Sequence, residues 1–167
     1  KAIEAATVPS VAIDATIEQA DAALDAASKA FPAWRDTPAA ERAAMLHRCA
    51  NIMRSRRDTL AGVMIREAGK TWREADGDVC EAIDFCEYYA RQAVGMFAPR
   101  RLGKFIGELD MQMHEPRGVA VVISPWNFPL AICCGMSVAA LVTGNTTIIK
   151  PAEQTPGIAK LLVEILH

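Results

Sequence analysis

Residues 118–166 alternate between two textures that permit few architectures. Val119-Ala120-Val121-Val122-Ile123 is continuously apolar, the pattern of a strand buried on both faces. A helical stretch follows from about Leu130 to Val142, and Gly144-Asn145 makes a turn. Thr146-Thr147-Ile148-Ile149 reads as a second buried strand. Thr155-Pro156 then caps a final helix that carries Ile158, Leu161, Leu162 and Ile165. Strand, helix, strand, helix in this order is a βαβ unit, with parallel strands and a right-handed crossover. Two strands alone make no stable parallel sheet, so further strands are expected outside these residues.

The hundred residues ahead of this unit read as helix three times. Ile17, Ala20, Leu24, Ala27 and Phe31 recur at helical spacing, and Pro32 is expected to stop them. Thr37-Pro38 starts a second helix with Thr as cap and Pro in the first position. Its apolar face runs Leu46, Cys49, Met53, Leu60 and Met64, and Gly69 ends it. Thr71-Trp72-Arg73-Glu74 is a capping box, and the helix behind it places Val79, Ala82, Ile83, Cys86, Tyr89 and Ala93 on one face. After Pro99 the period drops to two. Leu109, Met111 and Met113 alternate with Asp110, Gln112 and His114, as in a strand with one wet face, and Leu102 to Ile106 is its expected partner across a turn at Gly107. Such a hairpin has open edges, so it is expected to pair with another part of the protein or with a second subunit. The divisions that follow are helices over 1–100, a β-hairpin over 101–116 and a βαβα unit over 117–167.

Composition removes several classes of function. Of 167 residues, 51% are apolar and 23% charged, with a net charge of −2, the balance of a globular protein. The densest basic patch, Arg54, Arg56 and Arg57, is too sparse to track a phosphate backbone, so no nucleic-acid partner is expected. No apolar run reaches the roughly 20 residues of a membrane span, and Lys1-Ala2-Ile3-Glu4 has no apolar core like that of a signal peptide. The absence of an initiator Met and the helical last residues suggest that both ends continue into a longer protein. Five cysteines (49, 80, 86, 133 and 134) form no CxxC pair, so reduced, buried thiols in a cytoplasmic protein are expected. Three histidines (47, 114 and 167) share no ligand spacing, and no metal site is expected.

Ligands of open α/β sheets bind beyond the carboxyl ends of the strands. Two polar clusters fall there: Ser124-Pro125-Trp126-Asn127-Phe128-Pro129 after the first strand, and Lys150-Pro151-Ala152-Glu153 after the second. The Gly-x-Gly-x-x-Gly dinucleotide fingerprint is absent. Each cluster also has a plainly structural reading: loop prolines, a core Trp126, a turn residue at Asn127, and a surface pair of Lys150 with Glu153.

The run Ile123 to Pro129, followed by Gly144-Asn145-Thr146 and Lys150-Pro151-Ala152-Glu153-Gln154-Thr155-Pro156, resembles the aldehyde dehydrogenase superfamily over nearly the whole chain. Glu67-Ala68-Gly69-Lys70 resembles the E-x-G-K that ends that family's second helix. Glu81 to Ala90, with Lys150 to Pro156, is similar to the glutamate-semialdehyde (pyrroline-5-carboxylate) dehydrogenases. Those occur alone or fused behind an FAD-dependent proline dehydrogenase domain in proline utilization A proteins. The resemblance implies an incomplete α/β fold: N-terminal helices of the NAD-binding domain, a hairpin oligomerisation flap, and the first βαβα of a Rossmann-like parallel sheet. It implies NAD as cofactor, a small aldehyde as substrate and a homo-oligomer built through 101–116. Asn127 matches the oxyanion-holding amide. Ile123, Ser124, Pro125 and Trp126 match the wall of the adenosine and ribose site, and Lys150 and Glu153 the pair that hydrogen-bonds the ribose. Glu81 and Phe128 match residues lining the pocket for an amino-acid-like substrate.

Members of this family run in two stages. A Cys thiolate adds to the aldehyde and hydride passes to NAD; water then cleaves the thioester to the acid. The nucleophilic Cys and a base Glu lie downstream in such proteins, beyond the region this chain matches. Cys133 and Cys134, in an apolar helix, read as packing residues, because a thiol nucleophile needs a lowered pKa and access to substrate. The chain alone is therefore expected to be inactive. Rival readings are a dehydrogenase for succinate semialdehyde or betaine aldehyde, or a non-catalytic folding and assembly fragment.

Overall fold

The computed structural model describes residues 2–12 and 14–167; Lys1, the first residue of the segment read above as no signal peptide, lies outside them, as does Ile13. A short helix α1 (Ala2–Ala5) precedes four long ones: α2 (Ile17–Asp36), α3 (Ala39–Ser55), α4 (Arg57–Ala68) and α5 (Trp72–Met96). The hairpin β1 (Arg100–Leu102) and β2 (Asp110–Gln112) follows. The chain closes with β3 (Val119–Ile123), α6 (Ala131–Val142), β4 (Thr146–Lys150) and α7 (Pro156–Leu166). The βαβα unit is thus present, with β3 and β4 parallel and in register from Val119↔Thr146 to Ile123↔Lys150.

Three local expectations are corrected. Helix α2 runs through Pro32 to Asp36, although an interior proline typically costs about 3 kcal/mol. A capping box joins Thr16 and Gln19 at its start. At its end the Trp34 indole donates to the Leu141 carbonyl at 2.9 Å, anchoring the turn beyond the proline to α6. The second expected helix is two, α3 and α4, broken at Arg56 (φ −105°, ψ 11°). There the Ser55 hydroxyl donates to the Ile52 carbonyl at 2.8 Å, a side-chain bond that competes with the helical ladder. Pro38 is the N-cap of α3, one residue later than read, and its helix begins without a side-chain cap. Gly69, at φ 67°, ends α4 in the left-handed conformation that favours glycine, and the Thr71–Glu74 capping box starts α5.

Long α5 organises the packing, touching α3, α4 and α6. One continuous core runs from Ala6 through Leu46, Met53, Leu60, Met64, Val79, Cys86, Leu130 and Val138 to Ile158, Leu162 and Ile165. The helices and the βαβα unit therefore share a core. At Gly135 a Cβ would stand 2.9 Å from the Phe85 ring, so α5 and α6 approach closely because that position has no side chain. Arg42, buried in α3, donates to the carbonyls of Val142 (2.9 Å), Arg35 (3.3 Å) and Thr37 and closes the ends of α6 and α2. Asn145 locks the turn before β4: its Oδ1 accepts from the Arg117 and Gly118 N–H groups (2.7 and 3.0 Å), and its Nδ2 donates to Ala140 O and Thr143 Oγ1.

Two β features depart from the sequence reading. In β3, Val122 is buried but Val121 and Ile123 are exposed, so one face of the strand is uncovered in this chain. The hairpin pairs only three residues on each side, Arg100↔Gln112 to Leu102↔Asp110, rather than using Leu102 to Ile106 as a strand. Gly103 and Gly107 have positive φ and bend that segment into the connection. All six strand residues are exposed, so neither face of the hairpin is dry.

Candidate active site

The carboxyl ends of β3 and β4 lie side by side, because Ile123 is in register with Lys150. The Ser124 N–H donates to the Lys150 carbonyl at 3.2 Å and carries the ladder one step further. Two loops therefore leave the sheet together. One holds Ser124 to Leu130, the other Pro151 to Thr155.

The first loop is divided by burial. Ser124, Pro129 and Leu130 are buried, whereas Trp126, Asn127 and Phe128 face solvent. Pro129 and Leu130 pin the loop into the core, and the Ile132 N–H returns to the Phe128 carbonyl at 3.2 Å to start α6. Trp126 is thus not a core residue. The Asn127 amide has no hydrogen-bond partner among the described residues, although its main-chain oxygen accepts from Lys70 Nζ at 2.9 Å. The same ammonium lies 4.6 Å from the Phe128 ring centroid and 2.6 Å from Asp78 Oδ2.

In the second loop Lys150 Nζ and Glu153 Oε2 are 3.6 Å apart, and both side chains are about 60% exposed (60% and 62%). Gln154 donates to Glu153 Oε1 at 3.0 Å. The Glu153 carboxyl is held below its ordinary value chiefly by a hydrogen bond to its own backbone N–H, then by Gln154 and the charge of Lys150. The plain reading of a surface pair describes this geometry. It is also that of an open donor–acceptor pair at the strand end where the exposed Ile123 is in register with Lys150, with the exposed Trp126 three residues on in the first loop. A nucleoside calls for this chemistry: an apolar wall for the base and hydrogen-bonding groups for vicinal hydroxyls.

Glu81 is exposed on α5 and forms no hydrogen bond or ion pair among the described residues. The structure brings Ile123 and Ser124 beside Lys150, which pairs with Glu153, and it brings Asn127 and Phe128 to Lys70; no contact joins Pro125 or Trp126 to the Lys150–Glu153 pair among the described residues. No hydrogen bond joins Glu81 to either group. Cys133 and Cys134 are fully buried. Burial raises the Cys133 thiol pKa, only partly offset by a hydrogen bond with Ser124. That of Cys134 is raised well above the ordinary value by its contact with Cys86 (Sγ to Sγ 3.7 Å) and by burial. Neither is an available thiolate.

Sequence reasoning gave no role to Lys70 or Asp78. A signal for Asp78 was present: Ala75, Asp78, Val79 and Ala82 occupy one apolar stripe of α5, and a carboxylate in such a stripe is buried with a partner or not at all. Asp78 Oδ1 accepts from the Ala131 N–H at 2.6 Å and so caps α6, whose own N-cap residue Leu130 offers no side-chain bond.

A two-stranded parallel βαβα unit under a helical layer, with both strand-end loops on one edge, defines the Rossmann-like α/β class. Residues 4–167 match the aldehyde dehydrogenase family, and the chain belongs to it. It is 48% identical over 153 residues to 1-pyrroline-5-carboxylate dehydrogenase 2 of Bacillus subtilis, which covers 92% of this chain and 30% of that protein. Among solved structures it is similar to proline utilization A from Bdellovibrio bacteriovorus inactivated by N-propargylglycine (47% identity, TM-score 0.90, 91% of this chain and 16% of that one). It is also similar to 1-pyrroline-5-carboxylate dehydrogenase from Thermus with bound NAD (44% identity, TM-score 0.90, 92% and 30%). The chain thus spans under a third of the length of these relatives.

Proposed function

We propose that this chain is the N-terminal, cofactor-binding part of an NAD-dependent aldehyde dehydrogenase that oxidises L-glutamate γ-semialdehyde to L-glutamate, a step of proline breakdown. The observation that supports the cofactor reading is the register Ile123↔Lys150, which puts the exposed Ile123 and the Lys150–Glu153 pair at the same end of the sheet. The substrate reading rests on the relatives named as 1-pyrroline-5-carboxylate dehydrogenases, at 45–48% identity. Ile123, Ser124, Pro125 and Trp126 form the wall of the adenosine site, and Lys150 with Glu153 meets the ribose hydroxyls. NAD, when bound, supplies the hydride acceptor. Asn127 donates its amide N–H to the aldehyde oxygen as negative charge develops there, and a fixed neutral donor does this without reorganising. Glu81 and Phe128 line the substrate pocket. Residues 1–100 and 117–167 form one cofactor-binding domain, and 101–116 is a flap through which subunits associate. A fused FAD-dependent proline dehydrogenase domain upstream, which the sequence resemblance implies, would make the full-length protein bifunctional, as one proline utilization A relative is described.

The test is NADH formation by the purified full-length protein with glutamate γ-semialdehyde, succinate semialdehyde and betaine aldehyde. The proposed reading requires kcat/KM for glutamate γ-semialdehyde to exceed the other two by at least about a hundredfold, the discrimination expected where a site is built to bind the missing polar groups. A higher value for either rival would reassign the substrate. Chain 1–167 alone should give no NADH, since its candidate thiols at 133 and 134 are buried and protonated. Steady turnover by it would return those cysteines to the active site.

A further inference from the structure

One ammonium group holds both of the loop residues to which the proposed function gives substrate-facing roles. Lys70 follows the left-handed Gly69 that ends α4 and precedes the Thr71 cap of α5, so its backbone is fixed from both sides. Its Nζ lies 2.6 Å from Asp78 Oδ2, 2.9 Å from the Asn127 main-chain oxygen and 4.6 Å from the Phe128 ring centroid. An ammonium has three N–H donors. A carboxylate, a carbonyl and the negative face of an aromatic ring account for all three. The Lys70 side chain is 10% exposed and that of Asp78 is 0% exposed, so this cation is occupied and shielded rather than free for a substrate anion or a proton transfer.

The Asn127 carbonyl belongs to the peptide plane joining residues 127 and 128. Pinning it fixes ψ of Asn127 and φ of Phe128 together. The Asn127 amide, exposed and unpartnered, has no other restraint on its direction. We propose that Lys70 is a positioning residue that sets the Asn127 amide and the Phe128 ring at once, and that Asp78 positions Lys70. Asp78 joins this anchor to the start of α6 through the Ala131 N–H. The inference rests on the roles given to Asn127 and Phe128 above.

The test uses the full-length protein carrying Lys70→Met with Asp78→Asn. The pair leaves no unmatched buried charge, and the Asp78→Asn change keeps a side-chain oxygen for the Ala131 N–H. The expected result is a kcat about tenfold to a hundredfold lower, the scale of a misplacement near 1 Å, with a raised KM for the aldehyde. KM for NAD should rise less than KM for the aldehyde, because Lys150 and Glu153 lie outside this loop and only Trp126 of the adenosine wall lies in the loosened segment, a split that general loss of structure would not produce. Backbone amides of residues 126–132 should exchange with deuterium at least about tenfold faster. Lys70→Arg keeps a cation for Asp78 but replaces the three-way ammonium with a planar fork, and should show the same split if the pair variant does not fold. Unchanged kcat, a loss confined to NAD, or unchanged exchange would overturn the proposal. A wild-type protein inert toward the semialdehyde would instead remove the proposed function, and the exchange measurement would still decide whether Lys70 anchors the loop.

Discussion

Asn127 stands in solvent with its amide unpaired, while the residues on either side of its loop are held by the core. A donor in that state has no protein partner, among the described residues, to leave before it meets a substrate. Asn127→Ala in the full-length protein should lower kcat by about 10²–10³, the usual effect of removing one oxyanion donor, and leave the Kd for NAD unchanged. Normal turnover, or lost NAD binding in its place, would move Asn127 out of this role. Glu153 is the residue by which the cofactor reading is tested. Under the proposed function its carboxylate would accept hydrogen bonds from ribose hydroxyls and repel a 2′-phosphate, and Lys150 at 3.6 Å would soften that repulsion. Glu153→Gln should shrink the NAD-over-NADP preference in kcat/KM by roughly tenfold, the size of one charge-assisted hydrogen bond; an unchanged ratio would mean that Glu153 does not read the ribose. The places of both residues were legible in the sequence, because each sits in a short motif after a strand. The burial of Asp78 was legible from its place in an apolar stripe, but its link with Lys70 to residues 127, 128 and 131 was not, because that is a contact between segments about fifty residues apart, which no local period encodes.

At the scale of elements, the joints are made by side chains from distant helices. Thr155 forms no side-chain cap for α7. Glu67, from the end of α4, accepts instead from the Gly157 and Ile158 N–H groups at 2.7 and 2.9 Å, where an anion also complements the helix dipole. A Cβ at position 157 would stand 2.7 Å from Glu67 Oε1 and 3.1 Å from the Pro9 carbonyl. Gly157→Ala should therefore cost about 1–3 kcal/mol, the range for overpacking, measured by urea unfolding; a loss below about 0.5 kcal/mol would mean that the joint yields freely. The order of elements was legible because apolar period and caps are local. The helix through Pro32 was not, because Trp34 bonds to the distant Leu141; the break at Arg56 was not, because the Ser55 bond to Ile52 leaves the apolar period of α3 and α4 unbroken. The hairpin exposes Ile106, Leu109, Met111 and Met113 without a covering layer. If subunits associate through it, Leu109→Asp with Met111→Asp should shift full-length protein to a smaller species in light scattering, and an unchanged mass would place the interface elsewhere.

For the molecule as a whole, the shared core between the helices and the βαβα unit has a chemical consequence at its thiols. Four of the five cysteines are buried in it: 49, 86, 133 and 134. Cys49, on α3, donates to the Ile165 carbonyl of α7 at 3.4 Å, so it sits where the N-terminal helices meet the last helix. Burial, with a smaller contribution from Cys86, pushes its thiol pKa from an ordinary 9.0 up to about 11; Arg48 and a backbone hydrogen bond only partly oppose this. The folded chain then keeps a proton that the unfolded chain releases between about pH 9 and 11. A group raised on folding stabilises the fold fully below its unfolded pKa, and that contribution fades as pH climbs toward the folded value. For a shift of this size the loss is on the order of 2–3 kcal/mol, and the raised Cys133 and Cys134 act in the same direction. Chain 1–167 should therefore show a Tm that falls steeply from about pH 8 to pH 10.5. Cys49→Ala should begin less stable at pH 8, having lost packed volume, yet decline less steeply over the same range. The difference in slope between the two proteins isolates Cys49 from the rest of the chain. Equal slopes would mean that this thiol meets water in the folded chain and that the contact between α3 and α7 is not closed.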